Sequence, residues 1–239
     1  KALRDDTILV STMFANNETG NLLPITEIGQ ILKEHPAAYH VDAVQAIGKL
    51  LIHPEELGID FLTASAHKFH GPKGIGFLYA STLDFDSYLH GGDQEQKKRA
   101  GTENLPAIVG MVAALKEDLE KHTENIGFVQ ELLDSFLSEM DGTNHYLNKG
   151  NNHLPYVLNI GFPDQKHDLL LLRLDLAGIS ISTGSACTAG IVQTSHVLEA
   201  MYGKNSDRLK ESVRISLSPQ NTLEEMQILA QSLKEIIGG

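Results

Sequence analysis

The stretch AYHVDAVQAIGKLLIHPEELGIDFLTASAHK, residues 38–68, carries the strongest indication of the fold. It opens with a short run of β-forming residues that ends at Asp42, and a second such run, 60–64, precedes Lys68. The two residues lie 68 − 42 = 26 positions apart, about one crossover connection between parallel strands. We therefore predict two parallel strands whose carboxyl ends bring Asp42 and Lys68 to one edge of a sheet, where α/β folds place ligands.

The alternation of strands and helices continues on both sides of this stretch. Further strands are predicted at 7–14 and 74–80, and isoleucines and a leucine at helical spacing predict a helix over 24–33. This order indicates an α/β domain with a largely parallel sheet. Apolar residues at helical spacing then predict one long helix or two between 106 and 140.

The second half of the chain has the pattern of a smaller α+β unit. It contains predicted strands at 156–160, 179–182 and 212–217, and predicted helices at 167–176, 195–202 and 223–237. We place the division at residue 115, so that residues 1–115 form a large domain and residues 116–239 a small one.

Composition excludes several classes of function. The 239 residues carry 19 Lys and Arg against 31 Asp and Glu, a net charge of −12, which argues against duplex nucleic acid as a partner. A single cysteine excludes an internal disulfide framework and a cysteine-built zinc site. The longest apolar run, 169–172, is far too short to span a membrane. The eleven histidines lack metal-ligand spacing, so we expect no metal site.

The first chemical signal is the pairing of Asp42 with Lys68. A lysine forms an imine with an aldehyde and a carboxylate keeps a ring nitrogen protonated, so the pair suits pyridoxal phosphate. Gln45, three residues beyond Asp42, could reach the phenolic oxygen if a helix starts there. The spacing alone also allows a simpler interpretation, in which Asp42 caps a helix and Lys68 is a solvated loop residue.

Two short motifs near Lys68 do not support other chemistries. Residues 71–76, GPKGIG, lack the Lys-Ser/Thr ending of a phosphate-binding P-loop, so we predict a tight turn that enters a strand. Ser65 and Lys68 match the S-x-x-K pattern of serine acyl-enzymes, but the sequence contains neither S-D-N nor K-T-G.

Cys187 and Arg214 are the remaining candidates. Cys187 lies in the small-residue segment STGSACTAG, 182–190, which is typical of a nucleophile in a loop, although a lone cysteine is also often inert packing. Arg214 lies among apolar residues in a predicted strand, where its guanidinium could bind a substrate carboxylate or face solvent at an edge.

Together these motifs resemble the cysteine desulfurases of the NifS-like class. In family order the matching segments are 15–20 (ANNETG), 40–45 (HVDAVQ), 65–68 (SAHK) with 71–74 (GPKG), 90–92 (HGG), 99–104 (RAGTEN), 184–188 (GSACT) and 213–217 (VRISL). The resemblance runs from near residue 7 to the end of the chain, and the ordered set is far more specific than any one motif.

The resemblance implies a fold-type I enzyme with a large pyridoxal phosphate-binding α/β domain and a small α+β domain carrying the cysteine loop. It implies that Lys68 binds the cofactor aldehyde and that Asp42 pairs with the ring nitrogen. Gln45 and Asn17 would lie at the phenolic oxygen, and Val44 would pack on one face of the ring. Ser65 and His67 would bind the phosphate, and Thr102 would reach the phosphate of a neighbouring subunit. The catalytic residues would be Lys68, His67 and Cys187.

The same resemblance implies a substrate and partners. Arg214, with Asn17, would bind the carboxylate of L-cysteine, and Cys187 would take the sulfur as a persulfide while alanine is released. A cytoplasmic homodimer would then pass the sulfur to a protein acceptor for iron–sulfur cluster assembly or tRNA thiolation, with no direct contact to nucleic acid or membrane. The alternatives are a catalytically silent assembly module and a related pyridoxal lyase acting on selenocysteine or cystathionine-like substrates.

The sequence departs from the family pattern in places. Phe14 stands where the family commonly has His, Asp93 where another Gly is usual, and 193–194 (QT) where Glu-Pro is frequent. The family's N-terminal segment, with a His stacked on the cofactor and a phosphate-binding Thr, has no counterpart in these residues. We therefore expect the chain to be a C-terminal fragment whose large domain is incomplete at its N-terminal side.

Overall fold

The computed structural model of the protein describes residues 2–184 and 194–238. Its contacts divide the chain into two compact units, one of Lys1–Phe14 with Leu23–His122 and one of Ala15–Leu22 with Thr123–Gly239. The division falls within a single long helix, and the short segment Ala15–Leu22 belongs to the second unit although it precedes most of the first. The domain boundary at residues 115 and 116 lies in the same helix and stays a prediction.

The first unit contains a four-stranded sheet. Its strands β1 (Leu9–Met13), β2 (Ala38–Asp42), β3 (Phe61–Ser65) and β4 (Gly76–Ala80) neighbour one another in chain order. β1, β2 and β3 are parallel, whereas β4 runs antiparallel to β3. The largely parallel sheet predicted from the sequence is therefore confirmed.

Helix α1 (Ile25–Leu32) covers this sheet, while α2 (Gln94–Lys97) is a single turn and α3 (Leu105–Glu139) begins in this unit. Alternation along β2 buries Tyr39 and Val41, which pack in one cluster with Ile25 and Leu32 of α1. Side chains with β-propensity on one face of β2 thus meet the apolar face of an amphipathic helix, as the periodicity predicts.

The second unit contains a three-stranded antiparallel sheet with strands β5 (Tyr146–Leu147), β6 (Val157–Gly161) and β7 (Ser212–Ser216). Every residue of β6 is buried, as expected for a central strand. The unit also includes the end of α3 and the helices α4 (His167–Leu176), α5 (His196–Tyr202), α6 (Arg208–Glu211) and α7 (Leu223–Gly238). Its buried apolar residues come from α3, α4, α5, α6, α7, β6 and β7, and from adjoining segments such as that of Leu154.

The structure corrects one prediction of local structure. The strand predicted over 179–182 is wrong, because Ser182 alone bridges to Arg214 and Gly184 then adopts a left-handed backbone with φ 49°. The condition attached to Gln45, a helix starting near Asp42, is not met, since 44–49 is a series of turns. Residues 105–139 form one helix, which decides between the two options left open by the sequence.

Within the described parts of the chain, none of the helices combines the length and apolar character that a membrane crossing requires.

Candidate functional site

The carboxyl edge of the first unit's sheet gathers the predicted cofactor residues. Asp42 is the last residue of β2 and Ser65 the last of β3, and these strands are parallel with Asp42 in register with Thr63. A 3-10 turn at Ala66–Phe69 follows β3 directly and carries Lys68. The backbone therefore brings the chain segments of Asp42 and Lys68 to one sheet edge, as their spacing predicts.

Packing beneath the 3-10 turn determines which side chains remain accessible. Ala66 and Phe69 are buried, whereas His67 is exposed and Lys68 partly exposed. The Gly71 N–H donates to the Ala66 carbonyl at 2.9 Å, and a Cβ at Gly71 would lie 2.9 Å from the Ala66 Cβ. The tight turn predicted from the GPKG segment therefore packs against Ala66, the first residue of the 3-10 turn that carries Lys68.

Ser65 and His67 form a polar pair beside Lys68. The Ser65 Oγ lies 2.8 Å from the His67 Nδ1, so one hydrogen bond joins the two side chains. Both groups can donate hydrogen bonds to an anion in suitable protonation and rotamer states. The pair therefore offers the polar contacts that a phosphate group requires at this edge.

Asp42 and the turns after it form the other side of this edge. The Asp42 carboxylate is exposed, and its Oδ1 accepts a hydrogen bond from the Val44 N–H at 3.0 Å. Val44 and Gln45 are partly exposed in the following turns. Asp42 thus caps its own turn, as the simpler interpretation holds, and also leaves a carboxylate accessible at the sheet edge.

This unit also contains a partly buried cation, Lys49, which was not predicted from the sequence. Burial, and to a smaller extent the positive charge of Lys68, lower the pKa of Lys49 to about 8, although Asp118 partly opposes both effects. The Lys49 Nζ donates to the Gln45 carbonyl at 3.2 Å, so it supports the turn that carries Gln45. The i, i+4 spacing of Gln45 and Lys49 was the available signal, but it has no meaning until the turn is known.

Burial also affects the acidic partner of this cation. Burial raises the pKa of Asp118, while the neighbouring His70, whose Nδ1 lies 3.3 Å from the Asp118 Oδ1, lowers it. Asp118 lies on α3, 50 positions after Lys68 along the chain (118 − 68), so no local pattern connects them. The first unit therefore carries a cluster of Lys49, Asp118 and His70, in which Asp118 is buried and His70 is exposed.

The second unit holds Arg214 and Asn17 together. Arg214 is half-buried in β7, its NH1 donates to the Asn17 carbonyl at 3.0 Å and its Nε donates to the Ser182 Oγ at 3.1 Å. The charged guanidinium of Arg214 thus has hydrogen-bond acceptors in a loop carbonyl and a hydroxyl. The structure brings these two predicted residues into contact within one unit.

Thr102 and Cys187 remain, and they belong neither to the described sheet edge of the first unit nor to the Arg214–Asn17 contact. Thr102 is exposed between α2 and α3. Cys187 lies outside the described residues. Across the described ranges, no group of three or more His, Cys, Asp or Glu side chains is arranged to hold a metal ion.

Comparison with known sequences identifies relatives along the whole chain. A relative from Bacillus subtilis (strain 168) is 48% identical over 99% of this chain and 64% of its own length. A protein named cysteine desulfurase IscS, from Dictyoglomus turgidum, is 41% identical over 99% of this chain and 61% of its own. The chain therefore spans less than two thirds of the length of these relatives.

Solved structures agree with the sequence relatives. A NifS-like protein matches with a TM-score of 0.89 at 34% identity, over 99% of this chain and 63% of its own. A structure described as SspA in complex with cysteine matches with a TM-score of 0.74 at 33% identity, over 92% of this chain and 62% of its own. The fold-type I architecture expected from the sequence is thereby confirmed.

The family comparison is the most direct of these findings. The model of the aminotransferase class-V family matches residues 1–229, which is nearly the entire chain. The chain belongs to the aminotransferase class-V family.

Proposed function

We propose that the protein is a pyridoxal phosphate-dependent cysteine desulfurase. It converts L-cysteine to L-alanine and leaves the sulfur on Cys187 as a persulfide. The observation that carries the proposal is the convergence of Asp42, Ser65 and Lys68 at the carboxyl edge of two parallel strands, in a chain of the aminotransferase class-V family. Relatives named as cysteine desulfurases support the choice of reaction within this family.

The donor set at this sheet edge fits pyridoxal phosphate. The partly exposed Lys68 offers an amine for the aldehyde, the exposed Asp42 offers a carboxylate for the ring nitrogen, and the Ser65–His67 pair offers donors for the phosphate. Gln45 and Val44, in the turns after Asp42, would contact the phenolic oxygen and one ring face. When bound, pyridoxal phosphate withdraws electrons from the substrate carbons.

Each residue at the edge has a distinct task in this proposal. Lys68 would hold the cofactor through its amine, and the same amine would move a proton at the substrate carbon. Asp42 holds a proton at the ring nitrogen. His67 binds the phosphate and stays hydrogen-bonded to Ser65, which keeps the residue next to Lys68 in a defined orientation.

The second unit supplies the substrate and sulfur chemistry. Arg214, oriented by the Asn17 carbonyl and by Ser182, binds the carboxylate of L-cysteine, since a guanidinium pairs with a carboxylate through two hydrogen bonds. The structural match to SspA, described as bound to cysteine, supports this choice of substrate.

The sulfur transfer balances without an added oxidant or reductant. The Cys187 thiolate attacks the substrate sulfur, forming an S–S bond as the C–S bond breaks. The electron pair of the C–S bond stays on carbon, which takes a proton to give alanine. Cys187 therefore ends as a persulfide. Two thiol protons enter the reaction, one from Cys187 and one from the substrate, and one of them ends on the persulfide while the other ends on the carbon of alanine.

Partners and location follow from this chemistry as further parts of the proposal. The persulfide is passed to an acceptor protein for iron–sulfur cluster assembly or tRNA thiolation, and the active form is a homodimer in which Thr102 reaches the phosphate bound by the other subunit. A reaction that depends on a free thiolate suits a reducing compartment, which favours the cytoplasm.

The full-length protein tests this function. With pyridoxal phosphate added, we expect the visible absorbance of the lysine-bound cofactor, which Lys68→Ala should abolish. Addition of L-cysteine should release alanine and label Cys187 with persulfide, as measured by mass spectrometry. Unchanged alanine release in Cys187→Ser would favour a lyase of another type, and absence of the absorbance would favour a silent assembly module.

A further inference from the structure

The second unit contains a buried carboxylate that the proposed reaction does not use. Glu18 lies in the loop Ala15–Leu22, directly after Asn17, and its residue surface is 1% exposed. Its carboxylate accepts a hydrogen bond from the Ser195 hydroxyl, a residue 177 positions further along the chain. Removing a carboxylate from water is costly, so this placement requires a compensating arrangement.

Ser195 joins this carboxylate to the start of a helix. While its hydroxyl donates to Glu18, the same Oγ accepts a hydrogen bond from the Leu198 N–H at 3.1 Å and so caps α5. The helix, through its capping residue, thus holds the Glu18 side chain. A loop fixed at its middle by a long-range contact cannot move without breaking that contact.

The main chain of the loop is fixed from within as well. The Asn16 Oδ1 accepts hydrogen bonds from the backbone N–H groups of Glu18 and Thr19 at 2.9 and 3.0 Å. Thr19 is fully buried. The turn at Asn16 therefore sets the direction of the Asn17 and Glu18 peptide groups.

Two neighbouring strands hold consecutive carbonyls of this loop. Asn159 in β6 and Arg214 in β7 are register partners. The Asn159 Nδ2 donates to the Glu18 carbonyl at 3.1 Å, and the Arg214 NH1 donates to the Asn17 carbonyl at 3.0 Å. The orientation of the Arg214 guanidinium therefore depends on where the loop places its carbonyls.

We infer that Glu18 is a positioning residue for the substrate carboxylate. By bonding Ser195 it holds the loop so that the Asn17 carbonyl orients the Arg214 guanidinium toward an incoming carboxylate. The inference rests on the proposed function, because the carboxylate ligand of Arg214 comes from that proposal. Because the Glu18 side chain is buried and bonded to Ser195, it acts through the loop, so its removal should weaken cysteine binding and leave the chemical step intact.

The test compares variants of the full-length protein loaded with pyridoxal phosphate. Glu18→Ala should raise KM for L-cysteine about tenfold, because small misplacements of a binding group are costly, with kcat within about twofold of wild type. Glu18→Gln, whose amide oxygen accepts the Ser195 hydroxyl, should bring KM back to within roughly threefold of wild type.

A matched control comes from the same unit. The Tyr146 hydroxyl donates to the Glu211 Oε2 at 3.0 Å, so Tyr146→Phe also removes a partly buried hydrogen bond but leaves the loop intact. Its KM should equal that of wild type. A lower melting temperature and lower kcat in Glu18→Ala with unchanged KM would overturn the inference and assign Glu18 to stability alone.

Hydrogen exchange at the Thr19 and Leu198 amides gives a second readout that needs no activity. Both amides should exchange faster in Glu18→Ala than in wild type, whereas their exchange in Tyr146→Phe should equal that of wild type. If Glu18→Ala does not fold, Ser195→Ala takes its place in this experiment. If wild type forms no alanine, the proposed function fails, yet the exchange rates still decide whether Glu18 holds the loop. Equal exchange in Glu18→Ala and wild type would overturn the inference.

Discussion

The two units hold their proposed site residues in different ways. In the first unit the main chain places them: Asp42 ends a strand, Lys68 lies in a 3-10 turn, and His67 is exposed to solvent. In the second unit buried polar side chains place them, since Arg214 is tied to a loop that Glu18 anchors. One site is built on backbone geometry and the other on a side-chain hydrogen-bond network.

This difference determines how each unit responds to substitution. A side chain that projects from a strand end or a tight turn contributes little to the core, so it can be exchanged at low cost in stability. A side chain inside a buried polar network leaves unpaired partners when it is removed. Function and stability should therefore be separable in the first unit and coupled in the second.

The largest expected effect is in the second unit's network. Asn159 is 1% exposed, donates to the Glu18 carbonyl and accepts from the Asn148 Nδ2 at 2.8 Å. Asn159→Leu keeps a similar volume but leaves the Glu18 carbonyl without this hydrogen bond and the Asn148 Nδ2 with only its 2.8 Å bond to the Ser212 Oγ. At about 1–3 kcal/mol for each lost bond, this should lower the free energy of unfolding by about 4 kcal/mol. Urea titration of the second unit's unfolding measures this change.

Leu158→Met provides the control for Asn159→Leu. Leu158 is fully buried in the same strand, and a volume-conserving apolar exchange there should cost less than about 1.5 kcal/mol. Equal losses in the two variants would mean that tight packing of β6, and not the polar network, determines the stability of this unit.

Lys49 is an exception within the first unit, because it is a partly buried charge, whereas Asp42 and His67 are exposed. Burial and the charge of Lys68 lower its pKa from 10.5 to about 8, opposed by Asp118. Between these two pH values the unfolded chain binds more protons than the folded one, so the free energy of unfolding rises with pH across this interval. Below about pH 8 the buried lysine is charged and its full penalty is present.

Lys49→Met should therefore stabilise the first unit near pH 7. The relieved penalty is at most roughly 3 kcal/mol, and loss of the bond to the Gln45 carbonyl subtracts about 1, which leaves about 2 kcal/mol. The difference between variant and wild type should shrink as the pH rises from 8 to 10.5. Denaturant titrations at several pH values measure it.

The matched control is Lys121→Met. Lys121 lies on the exposed surface of α3, with its Nζ 2.9 Å from the Glu117 Oε1, and such i, i+4 pairs contribute only about 0.3–0.5 kcal/mol. Its difference from wild type should stay constant over the same pH range. A Lys49→Met difference that is equally constant would show that Lys49 is not a strained cation in the folded protein.

Local sequence pattern was sufficient to predict the first unit's edge. Both Asp42 and Lys68 follow runs of β-forming residues, and the crossover spacing between them specifies parallel strands, so the edge follows from the order of residues alone. The pattern failed over residues 179–182, where isoleucine and serine alternate but only Ser182 pairs with a neighbouring strand. Strand formation there depended on which neighbour was available, and sequence periodicity does not contain that information.

The second unit's network could not be predicted in the same way. Glu18 and Ser195 lie 177 residues apart and Asn159 and Glu18 lie 141 apart, so no local spacing connects them. The resemblance to desulfurases drew attention to Asn17 and Arg214, but not to the buried groups that hold them. Contacts between buried polar side chains depend on the completed packing of strands and loops.

The smallest expected change in stability is at the residue whose loss we expect to harm function. His67 is exposed in the first unit's turn and bonds the Ser65 Oγ at 2.8 Å. His67→Ala should change the free energy of unfolding by less than about 0.5 kcal/mol, because an exposed side chain at a turn buries little surface.

The same substitution, His67→Ala, should weaken pyridoxal phosphate binding, measured by absorbance titration of the full-length protein, since a phosphate donor is lost. His53→Ala, at another exposed histidine outside the edge, should leave cofactor affinity unchanged. If His67→Ala lowered the free energy of unfolding as much as Asn159→Leu does, the distinction between the two units would not hold.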